Sequence, residues 1–470
     1  MSRSPDRHEA SAAAGSGASI RPAAKRRAPM TAGAGAAPRP TTTDRLAAFK
    51  EDGLFRRMRT VESAQGPRVC LDGRDVLLLC SNDYLNLAAH PDVVAAAVAA
   101  TERWGAGTGA SRLISGNMTP HDELEQRLAG FHGTETALLF GSGYLANTGV
   151  IAALARRGDV VFSDELNHAS IIDGCRLAGA ETFVYRHRDL EHLAWGLGRL
   201  PGHCGLIVTD GLFSMDGDVA QLGWLRELAS RHGAMLMVDD AHAVGALGPG
   251  GRGSVAEAGL AGEVDVLIGT LGKALGSYGA YACVSREVRD LLVNTARPLI
   301  FSTALPPGAV AAATAALAIT ESDPARIGRL RSNASTLRGA LAANGLDPGG
   351  AGAQIMPVAV GDPDRAVAIC RRALDAGVYA QAIRPPTVPD GTSRLRLSVL
   401  ADHEPDELVA AAATIADAFR AVSAAGDWSI DLPDPEPGEV SVERHGWRVE
   451  AVADGDGAAD LAATPTARAG

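Results

Sequence analysis

Along the middle of the chain, short apolar runs alternate with stretches that mix apolar and polar positions at helical spacing. The runs at 136–140, 159–163, 181–185, 205–209, 234–238 and 264–268 read as buried strands. Helices open near 143 and 169 and cover 222–232, and a further strand returns at 279–284. Strand–helix alternation with polar residues gathered at strand ends predicts a doubly wound α/β fold with a mostly parallel sheet. Toward the N-terminus a helical pattern begins at Thr43, with Asp44 as its cap and Leu46, Phe49, Leu54 and Phe55 as apolar positions. Strands at 69–71 and 76–80 flank the turn Asp72-Gly73, and helices cover 90–104, opening with Pro91, and 121–131. Past a helix from Arg286, a long alanine-rich helical stretch runs to about Gly345. Strand, helix, strand, strand and helix then follow at 355–360, 362–376, 378–383, 395–399 and 404–424, the order of a separate small α/β domain.

The chain thus divides into an extension at 1–40, an N-terminal helix with strands at 41–95, and a large α/β domain at 96–305. A linking helix with a small C-terminal α/β domain occupies 306–425, and an acidic tail 426–470. The extension and the tail are rich in small residues and lack periodicity, so both are expected to be disordered. The extension has no apolar stretch of the kind a secretory signal needs. The 470 residues are 46% hydrophobic and 21% charged, which is ordinary for a globular enzyme. A net charge of −11 argues against nucleic acid or an anionic membrane as the main partner. No apolar run reaches the ~18 residues needed to span a bilayer. Six cysteines, Cys70, Cys80, Cys175, Cys204, Cys283 and Cys370, include no Cys-x-x-Cys pair. Their spacing suits neither a metal centre nor a disulfide framework, so a reducing, cytoplasmic setting is expected.

Candidate chemistry collects at two strand ends. The run at 264–268 leads into Gly269-Thr270-Leu271-Gly272-Lys273-Ala274-Leu275-Gly276. An ammonium is costly to bury unless it is used, and glycines let backbone and ligand approach closely. Lys273 therefore stands where a Schiff-base lysine for a carbonyl cofactor would be placed. The run at 234–238 ends in Asp239-Asp240-Ala241-His242. In open α/β sheets that end is where ligands bind. A carboxylate there suits pyridoxal phosphate (PLP), whose pyridine nitrogen it keeps protonated; either aspartate could instead cap the next turn. Ser142-Gly143-Tyr144, at a strand-to-helix turn, offers free N–H groups to a phosphate, with Tyr144 near the ring that carries it.

Taken with Ser81-Asn82-Asp83-Tyr84-Leu85, Gly109-Ala110-Ser111-Arg112, Asn167-His168-Ala169-Ser170 and Phe213-Ser214-Met215-Asp216-Gly217, these motifs resemble, in order, the α-oxoamine synthase family of fold-type-I PLP-dependent transferases. The resemblance covers about residues 44–424. It implies a Schiff base at Lys273, with Asp239 on the pyridinium nitrogen and His242 and Ser214 on the ring's phenolic oxygen. His168 would stack on the ring, Ser142, Gly143 and Tyr144 would form the phosphate-side loop, and Thr270 would bond the phosphate. Ser302 and Thr303 match a segment that reaches the partner subunit's phosphate, which implies a homodimer with shared active sites.

Within the family, the segment 382–389 resembles the form found in members that join L-alanine to a pimeloyl thioester, carried by coenzyme A or acyl carrier protein. Arg384 would then orient the amino-acid carboxylate, with Thr387 near the acyl donor. Arg396 is the rival for the carboxylate, because other members use an arginine on that later strand. Asn82 joins the substrate set. Arg56 resembles an N-terminal substrate-contacting arginine, with Arg57 equally near. Asp210 stands where glutamate is common, and Ala243-Val244 where smaller or hydroxylated residues are. The rival activities are condensations of glycine with acetyl- or succinyl-coenzyme A, or of serine with a long acyl chain. A PLP-binding transcription regulator would need a basic N-terminal domain, for which residues 1–40 are too short. The intact Lys273, Asp239, His242 and His168 argue against an inactive homologue.

Overall fold

The computed structural model describes residues 39–199, 203–426, 449–453 and 459–463. Residues 1–55 and 56–470 form two units. In the first, the described part is a helix, Thr42–Glu51, that buries none of its residues. Its N-cap is Thr41 rather than Asp44: Thr41 has extended backbone and its Oγ1 accepts from Asp44 N at 3.1 Å. The Asp44 carboxylate reaches back to Thr41 N at 2.8 Å, completing a capping box.

The second unit is built on a seven-stranded sheet. In chain order its strands follow a hairpin of β1 (Arg68–Leu71) and β2 (Arg74–Leu78). They are β3 (Thr136–Phe140), β4 (Asp159–Asp164), β5 (Glu181–Tyr185), β6 (His203–Asp210), β7 (Met235–Asp239), β8 (Val266–Thr270) and β9 (Ala280–Val284). The order across the sheet is β3-β9-β8-β7-β6-β4-β5, and β9 alone runs against the rest. The continuous apolar runs have a direct cause, since both faces of the sheet are covered. Leu236 and Val238 of β7 face one buried cluster, and Met237 between them faces the other. Parallel strands deliver their C-terminal ends to one edge, so Asp164, Asp210, Asp239 and Thr270 all emerge there.

The C-terminal region adds β10 (Ile355–Gly361), β11 (Val378–Tyr379), β12 (Gln381–Ile383) and β13 (Ser393–Ser398). β10, β13 and β12 form an antiparallel sheet backed by helix Pro363–Asp375, against which helix Pro405–Ala425 packs. The strand expected at 378–383 is split: β11 pairs with β2 in parallel, while β12 pairs with β13. The N-terminal hairpin therefore shares a sheet with a strand three hundred residues later. The alanine-rich stretch is likewise two helices, Pro307–Ser322 and Pro324–Ala343. Pro324 has no N–H to continue the first helix but suits the start of the second, where Asp323 caps Arg326 N at 3.2 Å. A helix at Leu190–Arg199 was not anticipated. Pro405–Ala425 is long and apolar enough to cross a bilayer, yet Leu408, Ala411, Ala412 and Ile415 are buried against the protein.

In the tail, β14 (Val449–Ala453) pairs antiparallel with β15 (Ala459–Ala463). The whole tail was expected to be disordered, so this hairpin departs from the expectation; residues 427–448, 454–458 and 464–470 of the tail and 1–38 of the extension lie outside the described residues.

Candidate active site

Lys273 lies on the turn that leaves β8. Gly276 N donates to Lys273 O at 2.8 Å and Ser277 N to Leu271 O at 2.8 Å, closing the turn tightly. Gly276 has φ +57°, and a Cβ there would sit 2.4 Å from Ala88 N, so only glycine lets the turn approach the segment after Leu87. The residue is half-buried. Burial lowers the Lys273 amine; the charges of Asp239 and Asp210 oppose this and Arg396 adds to it, leaving the amine at about 8 against an ordinary 10.5. An amine in that range supplies the neutral form a nucleophile or base needs near neutrality.

Asp239 closes β7 and is 5% exposed. Its Oδ1 accepts from Ala241 N at 3.0 Å and its Oδ2 from Asn147 Nδ2 at 2.6 Å. Asn147 also donates to Ser170 Oγ at 2.8 Å, which lies 2.7 Å from His168 Nδ1. A buried polar chain thus links Asp239 to His168, whose own residue is exposed. Burial first, then Lys273, lower His168, while Asp239 raises it; the net shift is downward. Asp240 does something different. It is fully buried, accepts from Ser254 Oγ and Val255 N, and burial pushes it up to about 7. Of the two carboxylates at this strand end, Asp240 ties the strand to the segment at Ser254 and Val255, while Asp239 caps the following turn through Ala241 N and holds its other oxygen toward Asn147.

His242 is buried beside Tyr84, whose hydroxyl lies 2.7 Å from His242 Nδ1 and 3.1 Å from Asn82 Oδ1. Burial, then the charges of Lys273, Arg396 and His168, hold His242 well below its ordinary value, so the ring is neutral. Arg396, on β13 and 5% exposed, donates from Nη2 to Asn82 Oδ1 at 3.1 Å and to Tyr84 Oη at 3.3 Å. Its Nε donates to Ser214 O at 2.6 Å. Among the described residues it makes no ion pair with a carboxylate. A buried guanidinium held by neutral acceptors is suited to receive a ligand's carboxylate. At β6, Asp210 pairs in register with Asp239 and accepts from His168 N at 2.8 Å. Burial and the Asp239 charge raise its carboxyl well above the usual range.

Ser142 caps the helix Gly143–Leu154, its Oγ accepting from Leu145 N at 3.2 Å. The first N–H groups of a helix have no intrahelical acceptor, and a Cβ at Gly143 would meet nothing within 4 Å, so the approach is open. The Tyr144 hydroxyl is engaged by Asp173. The Thr270 hydroxyl donates to Gly279 O at 3.1 Å and accepts from Gly272 N at 3.2 Å. Arg56 donates to Pro385 O at 3.0 Å and its charge bears on Arg384, which is half-buried; Thr387 is exposed beside them. Arg384 and Thr387 thus stand with Arg56, whereas Asn82 and Arg396 stand with His242.

Sequence reasoning did not single out Asn147, Ser170 and Tyr84 as site residues, nor His187. His187 lies between two carboxylates, Nδ1 2.9 Å from Asp164 Oδ1 and Nε2 2.8 Å from Asp218 Oδ2. Burial alone would lower it, but the bonds to Asp164 and Asp218 prevail and raise it from 6.5 to about 10. A raised folded-state value gives stability that is full below pH 6.5 and is lost as pH rises to about 10. The melting-temperature gap between the wild type and His187→Gln is therefore expected to be widest near pH 6 and to close by about pH 10. Thermal melts across that range check it; a gap independent of pH contradicts the cationic state.

The donor set fits an aldehyde-bearing, phosphorylated pyridine: an amine near 8, a fixed carboxylate, an uncrowded helix N-terminus and an exposed flat ring. Fold and site define a fold-type-I PLP-dependent transferase. The model of the aminotransferase class I and II family matches residues 74–415. The chain belongs to that family. Among curated relatives it is 52% identical over 381 residues to an 8-amino-7-oxononanoate synthase of Pelobacter propionicus, covering 80% of this chain and 97% of that one. It is also 52% identical over 379 residues to the synthase of Geobacter sulfurreducens, covering 79% and 96%. Among solved structures, a serine palmitoyltransferase of Sphingomonas wittichii aligns with TM-score 0.78 and 35% identity over 82% of this chain and 98% of that one. An 8-amino-7-oxononanoate synthase of Francisella tularensis aligns with TM-score 0.64 and 26% identity, covering 74% and 98%.

Proposed function

We propose that this chain is a PLP-dependent acyltransferase that condenses L-alanine with a pimeloyl thioester, of coenzyme A or acyl carrier protein, giving 8-amino-7-oxononanoate, CO2 and free thiol in biotin biosynthesis. The observation that carries the reading is the half-buried Lys273 amine, brought to about 8 beside the buried Asp239 and Arg396, in a chain half-identical to synthases of that name. PLP, when bound, supplies the electron sink that stabilises negative charge at the amino acid's α-carbon. The Asp239 carboxylate, fixed by Asn147 and Ala241, is placed to hold a pyridinium proton. Lys273 Nζ accepts the proton from the α-carbon and returns one after CO2 leaves. His168 offers its exposed ring as a flat partner, while neutral His242 and Ser214 offer hydrogen bonds to a phenolic oxygen. The cap residue Ser142, with the N–H groups of Gly143 and Tyr144, faces the phosphate, and the Thr270 hydroxyl joins them by turning from Gly279 O.

Arg396 binds the amino-acid carboxylate, with Asn82 beside it, and Arg56, Arg384 and Thr387 line the acyl donor's approach. The support for that division is burial: Arg396 is enclosed among neutral acceptors, while Arg384 is half-exposed near another arginine. Arg396→Met is expected to raise the alanine KM about a hundredfold and Arg384→Met less than tenfold. Steady-state kinetics with alanine varied give the comparison, and the reverse ranking contradicts the assignment.

The enzyme works as a homodimer in the cytoplasm. Leu113 and Ile114, in the helical turn Arg112–Gly116, and Phe301 are 51%, 79% and 70% exposed on segments joined by the Ser111–Thr303 bridge, an apolar surface suited to a second copy. An activity matrix of alanine, glycine and serine against pimeloyl, acetyl, succinyl and palmitoyl thioesters tests the function. Turnover is expected with alanine and pimeloyl thioester; preference for serine with palmitoyl thioester would favour the activity named for the Sphingomonas neighbour.

A further inference from the structure

The turn that carries Ser214 is held from two sides. Leu212 bridges Val219, Phe213 N donates to Asp218 O at 2.9 Å, and Gly217 N donates to Phe213 O at 2.9 Å, so residues 212–219 form one closed unit. On one side stands β13. Arg396 Nε reaches Ser214 O at 2.6 Å, and Arg394 pairs with Asp216. On the other side stands the segment after β5. His187 Nε2 lies 2.8 Å from Asp218 Oδ2, which Arg188 Nη1 also approaches at 3.3 Å. The other ring nitrogen is 2.9 Å from Asp164, the last residue of β4. The backbone is fixed as well: His187 N donates to Glu165 Oε1 at 2.8 Å and Arg188 N to Asp164 Oδ2 at 2.9 Å. The imidazole also meets the buried Phe213 ring edge-on, centroids 4.5 Å apart at 85°. The turn can shift toward β13 or away from it only if these contacts break.

We propose that His187 is a positioning residue for the amino-acid carboxylate: by anchoring Asp218 and Phe213 it fixes the Ser214 carbonyl that aims Arg396. The inference rests on the reading of Arg396 given above. Losing the anchor frees the turn and, through the 2.6 Å bond, lets the guanidinium rotate off the line it holds toward the substrate. An error of that kind weakens binding of the group Arg396 receives and leaves the acyl donor's approach alone.

The test is steady-state kinetics of PLP-loaded His187→Gln, Arg396→Met and the double variant, each below its measured unfolding temperature. His187→Gln is expected to raise the alanine KM about tenfold, with the pimeloyl thioester KM within about twofold and kcat within about threefold. In the Arg396→Met background the same change is expected to add nothing, because the guanidinium it aims is gone. Asp218→Asn keeps the histidine and the packing but removes the charge it grips. It should reproduce the alanine effect, and it decides the question if His187→Gln does not fold. An unchanged alanine KM in the folded variants overturns the proposal, as does an equal rise for both substrates or full additivity with Arg396→Met. If Arg396→Met itself leaves the alanine KM unchanged, the reading of Arg396 fails, whatever His187→Gln does.

Discussion

Lys273→Ala is expected to lower turnover by about four orders of magnitude or more, the largest effect of any single change in the chain. The reason is positional as well as chemical. The sequence contains three lysines, Lys25, Lys50 and Lys273. Lys50 is exposed on the helix Thr42–Glu51, and Lys25 lies outside the described residues. Lys273 is held on a closed turn at the edge of the sheet, where burial brings its amine to about 8. Among the described residues no other lysine stands at that edge of the sheet. Alanine fits the turn, since the backbone bonds of Leu271, Lys273 and Gly276 do not involve the side chain, so the variant keeps its fold. Turnover assays alongside thermal melts distinguish the outcomes: activity falls while the melting temperature stays within a few degrees. Retention of more than a few per cent of wild-type turnover contradicts the role.

Asp239→Asn is expected to cost about a thousandfold in kcat/KM. The carboxylate accepts from Ala241 N on one oxygen and from Asn147 on the other, and an amide offers one acceptor where two are used. Either bond must then become a donor facing a donor, in a place where the side chain is 5% exposed. The change also removes the negative charge that would hold a pyridinium proton. Steady-state kinetics show the loss, and Asp240→Asn separates site from scaffold. Asp240 is tied to Ser254 and Val255, so its replacement lowers stability with a far smaller effect on kcat. Equal kinetic effects from the two substitutions would contradict the division of labour between the adjacent aspartates.

What the sequence revealed follows from how local each signal is. Strands buried on both faces write themselves as unbroken apolar runs, so β3 to β9 were legible to within two residues at either end. Chemistry at their C-terminal ends was legible too, because Lys273 and Asp239 are costly residues in apolar surroundings. Partners far along the chain were not. Tyr84 meets His242 across 158 positions, Asn147 meets Asp239 across 92, and Arg396 meets Ser214 across 182. Asparagine and tyrosine at those positions look like any others until the fold brings them together. The joining of β2 with β11 was hidden for the same reason, since residues 378–383 read as one strand although they serve two sheets. The break before Pro324 was different: the proline signalled it, and the alanine pattern on both sides obscured it. Leu190, Leu193 and Leu197 likewise carried the helical spacing of a segment that went unassigned.

The central claim is that a single lysine carries the cofactor's aldehyde. Borohydride reduction of the PLP-loaded protein, followed by proteolysis and mass analysis of the peptides, tests it most directly. The account predicts a phosphopyridoxyl group on the peptide containing Lys273 and on no other; a label on Lys50 or Lys25, or none at all, would contradict it.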